Sequence, residues 1–293
     1  MVMNSIVLFG KKSKYQFNPF DRNNIIGEGG MGKVFKGFDM VSNRPVAIKA
    51  IFTELIVNPS VRYRSELEGE LQFTHPNLIE MLDCCVTEEG RIHLVSVFVN
   101  GRSFPKYLSE SAFSISDKST IVCNHIQSIL DALHFLHGKG IYHRDVKPDN
   151  IMIDRSNKAI LMDLGVAKAS DGKRKTNAGV VIGTPHYSAP EQIRGESNIN
   201  ATTDVYATGI TLYELLTGNP PFDAGSQFGV MKMQIEKPLP YNPKIDPDLF
   251  NILKKATEKE QIQRFQSAMD FSHALSEFLK PKSFWQKLFL FNN

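Results

Sequence analysis

The rhythm of apolar and polar positions changes once along this chain, near residue 98. Before that point the period is mostly two. Asn24-Ile25-Ile26 runs into Gly27-Glu28-Gly29-Gly30-Met31-Gly32, and alternation resumes at Lys33-Val34-Phe35-Lys36-Gly37-Phe38. After Ser42-Asn43-Arg44-Pro45 it continues through Val46-Ala47-Ile48-Lys49-Ala50-Ile51. Residues 22–51 therefore predict three antiparallel strands, the first two joined by the glycine turn. Residues 60–73 are charged, with Val61, Leu67, Leu71 and Phe73 interspersed, and predict a helix that Pro76 ends. Two more strand-like runs, Leu78–Leu82 and Ile92–Val99, precede a break at Asn100-Gly101.

Beyond the break the period lengthens. In 117–137, Ile121, Val122, Ile126, Ile129, Leu130, Leu133 and Leu136 recur at helical spacing, with Gly138 placed to cap the end. Short apolar runs at Ile151–Ile153 and Ala159–Met162 predict a strand pair. Residues 163–191 are polar and glycine-rich, longer than an ordinary connector, and loops of that length are usually functional. Thr203–Leu216 is apolar on most sides and predicts a buried helix, ended by Gly218-Asn219-Pro220-Pro221. Further helices are predicted at 225–235, 247–257 and 266–279. The pattern describes a small sheet-rich lobe, a hinge and a larger helical lobe.

Composition narrows the class. The chain has 293 residues, 42% of them hydrophobic and 22% charged, enough for a large core in one domain or two lobes. A net charge of +3 with no basic run argues against nucleic acid as a partner. The three cysteines, Cys84, Cys85 and Cys123, have no paired spacing, which argues against a disulfide framework or zinc site and for a reducing cytoplasm. The first nine residues lack a basic leader and a small-residue cleavage site, so no signal peptide is expected. No window approaches 18 uninterrupted apolar residues, so no membrane span is expected.

Candidate chemistry gathers at four places. Ile141-Tyr142-His143-Arg144-Asp145-Val146-Lys147-Pro148-Asp149-Asn150 packs charged and amide groups between two apolar elements, and burying so many polar groups is costly unless each has a partner. It reads either as a solvated loop or as a catalytic one, with a carboxylate for a hydroxyl, a cation for developing negative charge and an amide oxygen for a metal. Gly27-x-Gly29-x-x-Gly32 is a weak pattern alone. A dinucleotide fingerprint would need a helix next, whereas a strand follows here, which suits a hairpin folded over phosphates. Lys49 ends an apolar strand and is either an exposed edge residue or a phosphate ligand needing an acidic partner, for which 60–73 offers Glu66, Glu68 and Glu70. Asn150 and Asp163, at the ends of adjacent short strands, are two hard oxygen donors able to hold Mg²⁺ with phosphate oxygens and water.

Taken in order, these motifs resemble those of the eukaryotic-type (Hanks-type) Ser/Thr protein kinases common in bacteria. The resemblance rests on Gly27 to Val34, Val46-Ala47-Ile48-Lys49, His143 to Asn150 and Asp163-Leu164-Gly165. It continues through Gly183-Thr184-Pro185-His186-Tyr187-Ser188-Ala189-Pro190-Glu191, Asp204-Val205-Tyr206-Ala207-Thr208-Gly209 and Arg264. It implies an α+β bilobal kinase-like fold: a small antiparallel-sheet N-lobe with one helix (20–97), a hinge (97–101) and a mainly helical C-lobe (102–280). Residues 1–19 would be an N-terminal extension and 281–293 a basic, aromatic tail.

The resemblance also implies roles. Asp145 would orient the substrate hydroxyl, Lys147 would offset phosphoryl charge, and Asn150 and Asp163 would hold Mg²⁺. ATP would lie against Ile26, Gly27, Glu28, Gly29, Gly30, Met31, Gly32, Lys33 and Val34, with Ala47 and Met152 flanking adenine. Lys49 would meet the α/β-phosphates, held by Glu66, and the backbone of Val97 and Val99 would pair with adenine. Counting to Glu66 leaves Glu70 where the family usually has an apolar residue, and puts Ser96 at the gatekeeper position. Ser170, Thr176 and Thr184 are candidate phosphosites opposite Arg144 and Lys168, with Thr176 favoured as the switch. Glu191 and Arg264 would form a buried ion pair, and Asp204 would brace the catalytic loop. The implied partners are protein substrates, with weak peripheral membrane or partner contact through 281–293 as a second role for the tail. Two alternatives remain: a nucleotide-binding pseudokinase scaffold, and a small-molecule phosphotransferase of related fold.

Overall fold

The computed structural model describes residues 5–164 and 185–281. The smaller lobe is one curled antiparallel sheet, β1 (Ile6–Phe9), β2 (Lys14–Phe17), β3 (Ile25–Gly29), β4 (Gly32–Asp39), β5 (Arg44–Ile51), β6 (Met81–Val86) and β7 (Ile92–Val97). Its order is β1-β2-β4-β5-β7-β6, with β3 also paired to β4. β2 and β3 share one side of β4: β2 meets Phe38 and Asp39, and β3 meets Gly32 to Phe35. Residues 6–17, read from sequence as an extension, thus add two strands to the sheet. Leu8, Tyr15 and Phe17 close a core with Phe35, Val46, Ile48, Cys85 and Val95. The hairpin is anchored by buried Asp83, which accepts from the backbone N–H of Lys11 (3.1 Å), Lys12 (2.8 Å) and Cys84 (2.9 Å) and from the Tyr15 hydroxyl (3.2 Å).

Two helices lie on this sheet, α1 (Thr53–Ile56) and α2 (Pro59–Glu70). The predicted helix over 60–73 stops short, because Leu71 and Phe73 leave it to pack against the main core, Phe73 edge-on to Phe135 with centroids 5.8 Å apart. The predicted strand at Leu78–Leu82 begins instead at Met81. Leu78 and Ile79 strap the lobes together: Ile79 N–H donates to Leu161 O (2.9 Å) and Leu161 N–H to Asn77 O (2.8 Å).

The larger lobe holds a second sheet of β8 (Gly101–Ser103), β9 (Ile151–Asp154) and β10 (Ala159–Leu161), ordered β10-β9-β8. Its helices are α3 (Phe104–Ser109), α4 (Ile115–His137), α5 (Pro190–Arg194), α6 (Ala201–Thr217), α7 (Gln227–Glu236), α8 (Pro247–Ala256) and α9 (Ala268–Leu279). Their starts follow the capping rule, with Ser114, Asn200, Ser226, Asp246 and Ser267 each accepting a first-turn N–H. α4 carries its predicted apolar stripe inward, and Val122, Ile126, Ile129, Leu130, Leu133 and Leu136 are fully buried. Gly138 ends α4 in a right-handed conformation (φ −62°), and the left-handed turn falls two residues on at Gly140 (φ 73°). α6 is buried on all sides, a central post whose N-terminal turn stands under the loop 141–150.

Candidate active site

The glycine hairpin is the turn between β3 and β4, in which Gly29 pairs with Gly32. Gly32 is required sterically, since a Cβ there would stand 2.1 Å from Ala50 O. Ile26 is exposed, Val34 is half-buried opposite Lys49, and Glu28 pairs with Lys33 at 3.2 Å. Met31 turns away from the cleft. Its side chain is buried against Val61 and Leu55, and its carbonyl accepts from Phe52 N–H at 2.9 Å, tying the turn to the helices behind it.

Lys49 projects from β5 to Asp163, with Nζ 2.8 Å from Oδ1. Burial works to lower the Lys49 pKa, but the Asp163 and Glu68 carboxylates outweigh it and hold the ammonium above its ordinary value. The sequence expectation named Glu66 for the α2 carboxylate beside Lys49. Glu66 is half-buried and forms an i,i+4 bridge with Arg62 (3.1 Å), whereas Glu68 is only 3% exposed and is the α2 residue whose charge adds to that of Asp163 at Lys49. Glu70 points outward, to Lys11 Nζ at 2.5 Å in the β1–β2 turn.

At the hinge, Ala47 is buried and pairs with Ser96. Val97 N–H donates to Glu80 O (3.0 Å), and Val99 follows in the connection to Gly101. Met152, half-buried on β9, pairs with Ser103 and Ile160.

Most polar groups of the loop find partners; among the described residues the buried Nδ1 of His143 is the exception. Asp204 at the start of α6 accepts from the backbone N–H of His143 (2.8 Å) and Arg144 (2.7 Å) and contacts His137 Nε2 (2.8 Å). Burial works to raise the Asp204 pKa; the His137 contact and these N–H donors overcome it and hold the carboxyl ionised. His143 is fully buried, burial keeps its ring neutral, and Nε2 donates to Met162 O (3.0 Å). That bond orients the turn into Asp163, whose backbone is left-handed (φ 49°), as is that of Arg144 (φ 63°). Non-glycine residues adopt that region at a cost and only where surroundings fix it. Asn150 Nδ2 donates to both the backbone O and Oδ2 of Asp145, each at 2.8 Å, and Lys147 Nζ stands 3.6 Å from Asp145 Oδ2. Asp145, Lys147 and Asn150 thus form one contacting group and Lys49 and Asp163 a second, with Met162 N–H donating to Asn150 O (2.8 Å) beside Asp163 and the Asp145 charge also reaching Lys49.

Below the loop, Arg264 and Glu191 form a bidentate pair with both contacts 2.8 Å, at 0% and 2% side-chain exposure. Burial would raise the Glu191 pKa, and Arg264 overrides it and holds it low. Sequence reasoning passed over His137, Gln192, whose amide donates to Arg144 O (3.0 Å), and the Tyr187 to Glu214 bond (2.7 Å). Ordinary helix residues in sequence carry no signal of such roles. Ser170, Thr176, Thr184, Lys168 and the tail 282–293 lie outside the described residues.

The protein kinase domain family matches residues 20–276. The chain is 33% identical over 269 residues to the probable serine/threonine-protein kinase SCO3848 of Streptomyces coelicolor, covering 87% of this chain and 38% of that protein. It is 34% identical over 249 residues to a probable serine/threonine-protein kinase PknB of Lactococcus lactis (82% and 39%). With serine/threonine-protein kinase PrkC of Bacillus subtilis the identity is 33% over 253 residues (84% and 38%). It therefore spans about two fifths of the length of these relatives. Among solved structures, the Mycobacterium tuberculosis PknI kinase domain superposes with a TM-score of 0.67 at 24% identity, covering 87% of this chain and 93% of that one.

Proposed function

This chain belongs to the protein kinase domain family, in its bacterial-like Hanks-type serine/threonine class, and we propose that it transfers the γ-phosphoryl group of ATP to Ser and Thr hydroxyls of proteins. The observation that carries the reading is the pair of charge groups meeting at the cleft: Asp145 with Asn150 at 2.8 Å and Lys147 at 3.6 Å, and Lys49 with Asp163 at 2.8 Å across the lobes.

The donor chemistry fits Mg²⁺. Both hydrogen bonds of the Asn150 amide nitrogen go to Asp145, which leaves the hard oxygen Oδ1 for a cation, and Asp163 supplies a carboxylate. Bound there, the metal would neutralise phosphate charge. The chain's own residues do the rest by position and field. Asp145 Oδ2 accepts the hydrogen bond of the acceptor hydroxyl and aims its oxygen. Lys147 is held beside that carboxylate and meets charge developing on the phosphoryl oxygens. Lys49 orients the α/β-phosphates from above. Glycine N–H groups of the β3–β4 turn cover the phosphates, and the Val97 carbonyl with the Val99 backbone takes adenine between Ala47 and Met152. Ile26, Gly27, Glu28, Gly30, Lys33 and Val34 line that side of the cleft in this reading.

In the same reading the kinase unit spans 20–280, with the 6–17 hairpin joined to its smaller lobe, and acts in the cytoplasm. Among the described residues no helix is long and apolar enough to cross a membrane. Autophosphorylation at Thr176 would switch it on, with Arg144 receiving the phosphate. Incubation with labelled ATP and Mg²⁺ tests the proposal beside Asp145→Asn and Lys49→Met. Label on protein from the wild type alone supports it; equal labelling of all three sinks it.

A further inference from the structure

One fully buried amide in the larger lobe lies outside the cleft. Gln234 on α7 is 0% exposed, unusual for so polar a side chain. Its Nε2 donates to Pro185 O (3.4 Å) and to His186 O, while Oε1 accepts from the Tyr206 hydroxyl at 2.5 Å. Two carbonyls cannot donate, so the amide has one allowed orientation. Tyr206 is itself fixed: Lys259 Nζ donates to its hydroxyl (2.9 Å), and its ring lies 4.8 Å from the Arg264 guanidinium and 5.1 Å from the Lys259 ammonium. Arg264 holds Glu191, at the start of the helix that follows the Pro185–Tyr187 turn. The connection therefore closes on itself, from the turn through Glu191, Arg264, Tyr206 and Gln234 back to the turn.

That turn stands beside the acceptor side of the catalytic loop. The charges of Asp149 and Asp145 reach the Tyr187 phenol, and Gln192 links the turn to the loop by accepting from Ala189 N–H (2.9 Å) and donating to Arg144 O (3.0 Å). Gln192 fixes the turn from the loop side and Gln234 fixes it from beneath. We propose that Gln234 is a positioning residue for the protein acceptor, setting where the Pro185–Tyr187 turn stands and hence how tightly an acceptor chain is held. The assignment rests on the kinase reading above. Nucleotide affinity should be spared, because Lys49 and the glycine turn belong to the other lobe.

The test combines steady-state kinetics, using dephosphorylated casein and ATP, with amide hydrogen exchange over 186–195. Gln234→Met removes the donors, and Gln234→Glu sets carboxylate oxygens against the two carbonyls. Both should raise the casein KM by about tenfold or more with the ATP KM within about twofold. Exchange over 186–195 should quicken by about tenfold while α4 keeps its protection. Gln234→His, which keeps one donor and one acceptor, should fall between them and wild type. Tyr206→Phe, a milder change should the Gln234 variants unfold, should raise the casein KM by about threefold. Casein KM unchanged in these variants, casein and ATP KM rising together, or unchanged exchange would overturn the proposal. A wild type that binds ATP yet labels no protein overturns the kinase reading and the acceptor role with it, while exchange still decides whether Gln234 holds the turn.

Discussion

Glu66→Gln and Glu68→Gln should have unequal effects, and the inequality measures how α2 is seated in the active protein. The Glu66 carboxylate belongs to an i,i+4 bridge with Arg62 whose side chains are 37% and 42% exposed. Such a bridge contributes about 0.3–0.5 kcal/mol, so its loss should change kcat/KM for ATP by less than about twofold. Glu68 is 3% exposed and raises the Lys49 pKa. A buried interaction with a charged group contributes about 1.5–3 kcal/mol, which is about 10- to 150-fold in rate. Lys49 keeps Asp163 at 2.8 Å, so Glu68→Gln should fall short of Lys49→Met. The assay is kcat/KM for ATP with casein as acceptor, with thermal midpoints recorded to separate misfolding from catalysis. The double variant should match Glu68→Gln. If Glu66→Gln loses activity as deeply as Lys49→Met while Glu68→Gln stays near wild type, the reasoning is wrong. That outcome would mean α2 turns by about 200°, the angle between positions two apart on a helix, before transfer.

Four further outcomes are expected. Arg264 places all five N–H donors, on Glu191, Thr202 O, Glu258 O and Lys259 O. Arg264→Lys leaves carboxylate and carbonyls unmatched and should cost about 3–5 kcal/mol, a fall of about 6–20 °C in Tm, and a fall under about 2 °C would contradict it. Met31→Ala should release the glycine turn from Val61 and Leu55 and raise the ATP KM about 5- to 20-fold with kcat within about threefold, with Met31→Leu restoring it. Asp83→Asn should weaken the β1–β2 hairpin, costing about 1.5–3 kcal/mol by urea denaturation and speeding amide exchange over 8–17. His93 is buried, and burial lowers its pKa to about 4. The unfolded chain then binds a proton that the native state refuses between pH 6.5 and about 4, so stability falls on acidification through that window by about 1.4 kcal/mol per pH unit; His93→Phe should flatten that slope in urea titrations at stepped pH.

Much of the fold was legible because the apolar period and the apolar load agree. α4, α6, α8 and α9 fall within a few residues of their predicted spans, each with a polar cap at one end and a buried stripe or post along its length. The strand at Leu78–Leu82 was misplaced because two apolar residues in an extended run look alike whether they join a sheet or bridge two lobes, and Leu78 and Ile79 do the second. The hairpin at 6–17 was missed because its strands are four residues each and its anchor, Asp83, lies over 60 residues away. In the cleft, backbone-defined positions such as Gly32 can be read from type, since only glycine tolerates the Ala50 carbonyl. Positions defined by a side chain's direction cannot, and the choice between Glu66 and Glu68 is one of them.

α2 shows why direction was the hard part. Its apolar residues make no clean stripe, with Val61 buried and Tyr63 and Leu67 exposed, so the sequence offers no inner face from which to count. The structure replaces the stripe with two specific contacts and one charge interaction from distant parts of the chain. Met31 of the glycine turn packs on Val61, Lys11 of the β1–β2 turn takes Glu70, and Lys49 of β5 lies in the field of Glu68. The acidic residue at 70, which breaks the apolar pattern expected there, is accounted for by Lys11 at 2.5 Å. An exposed bridge of this kind adds little stability, so its effect is on register rather than on strength. With Glu70 drawn to the hairpin and Val61 held under the glycine turn, Glu68 is the buried carboxylate of α2, and its charge bears on Lys49. The glycine turn, Lys49 and the added hairpin therefore all bear on one helix, and a shift at any of them moves the carboxylate that Lys49 feels.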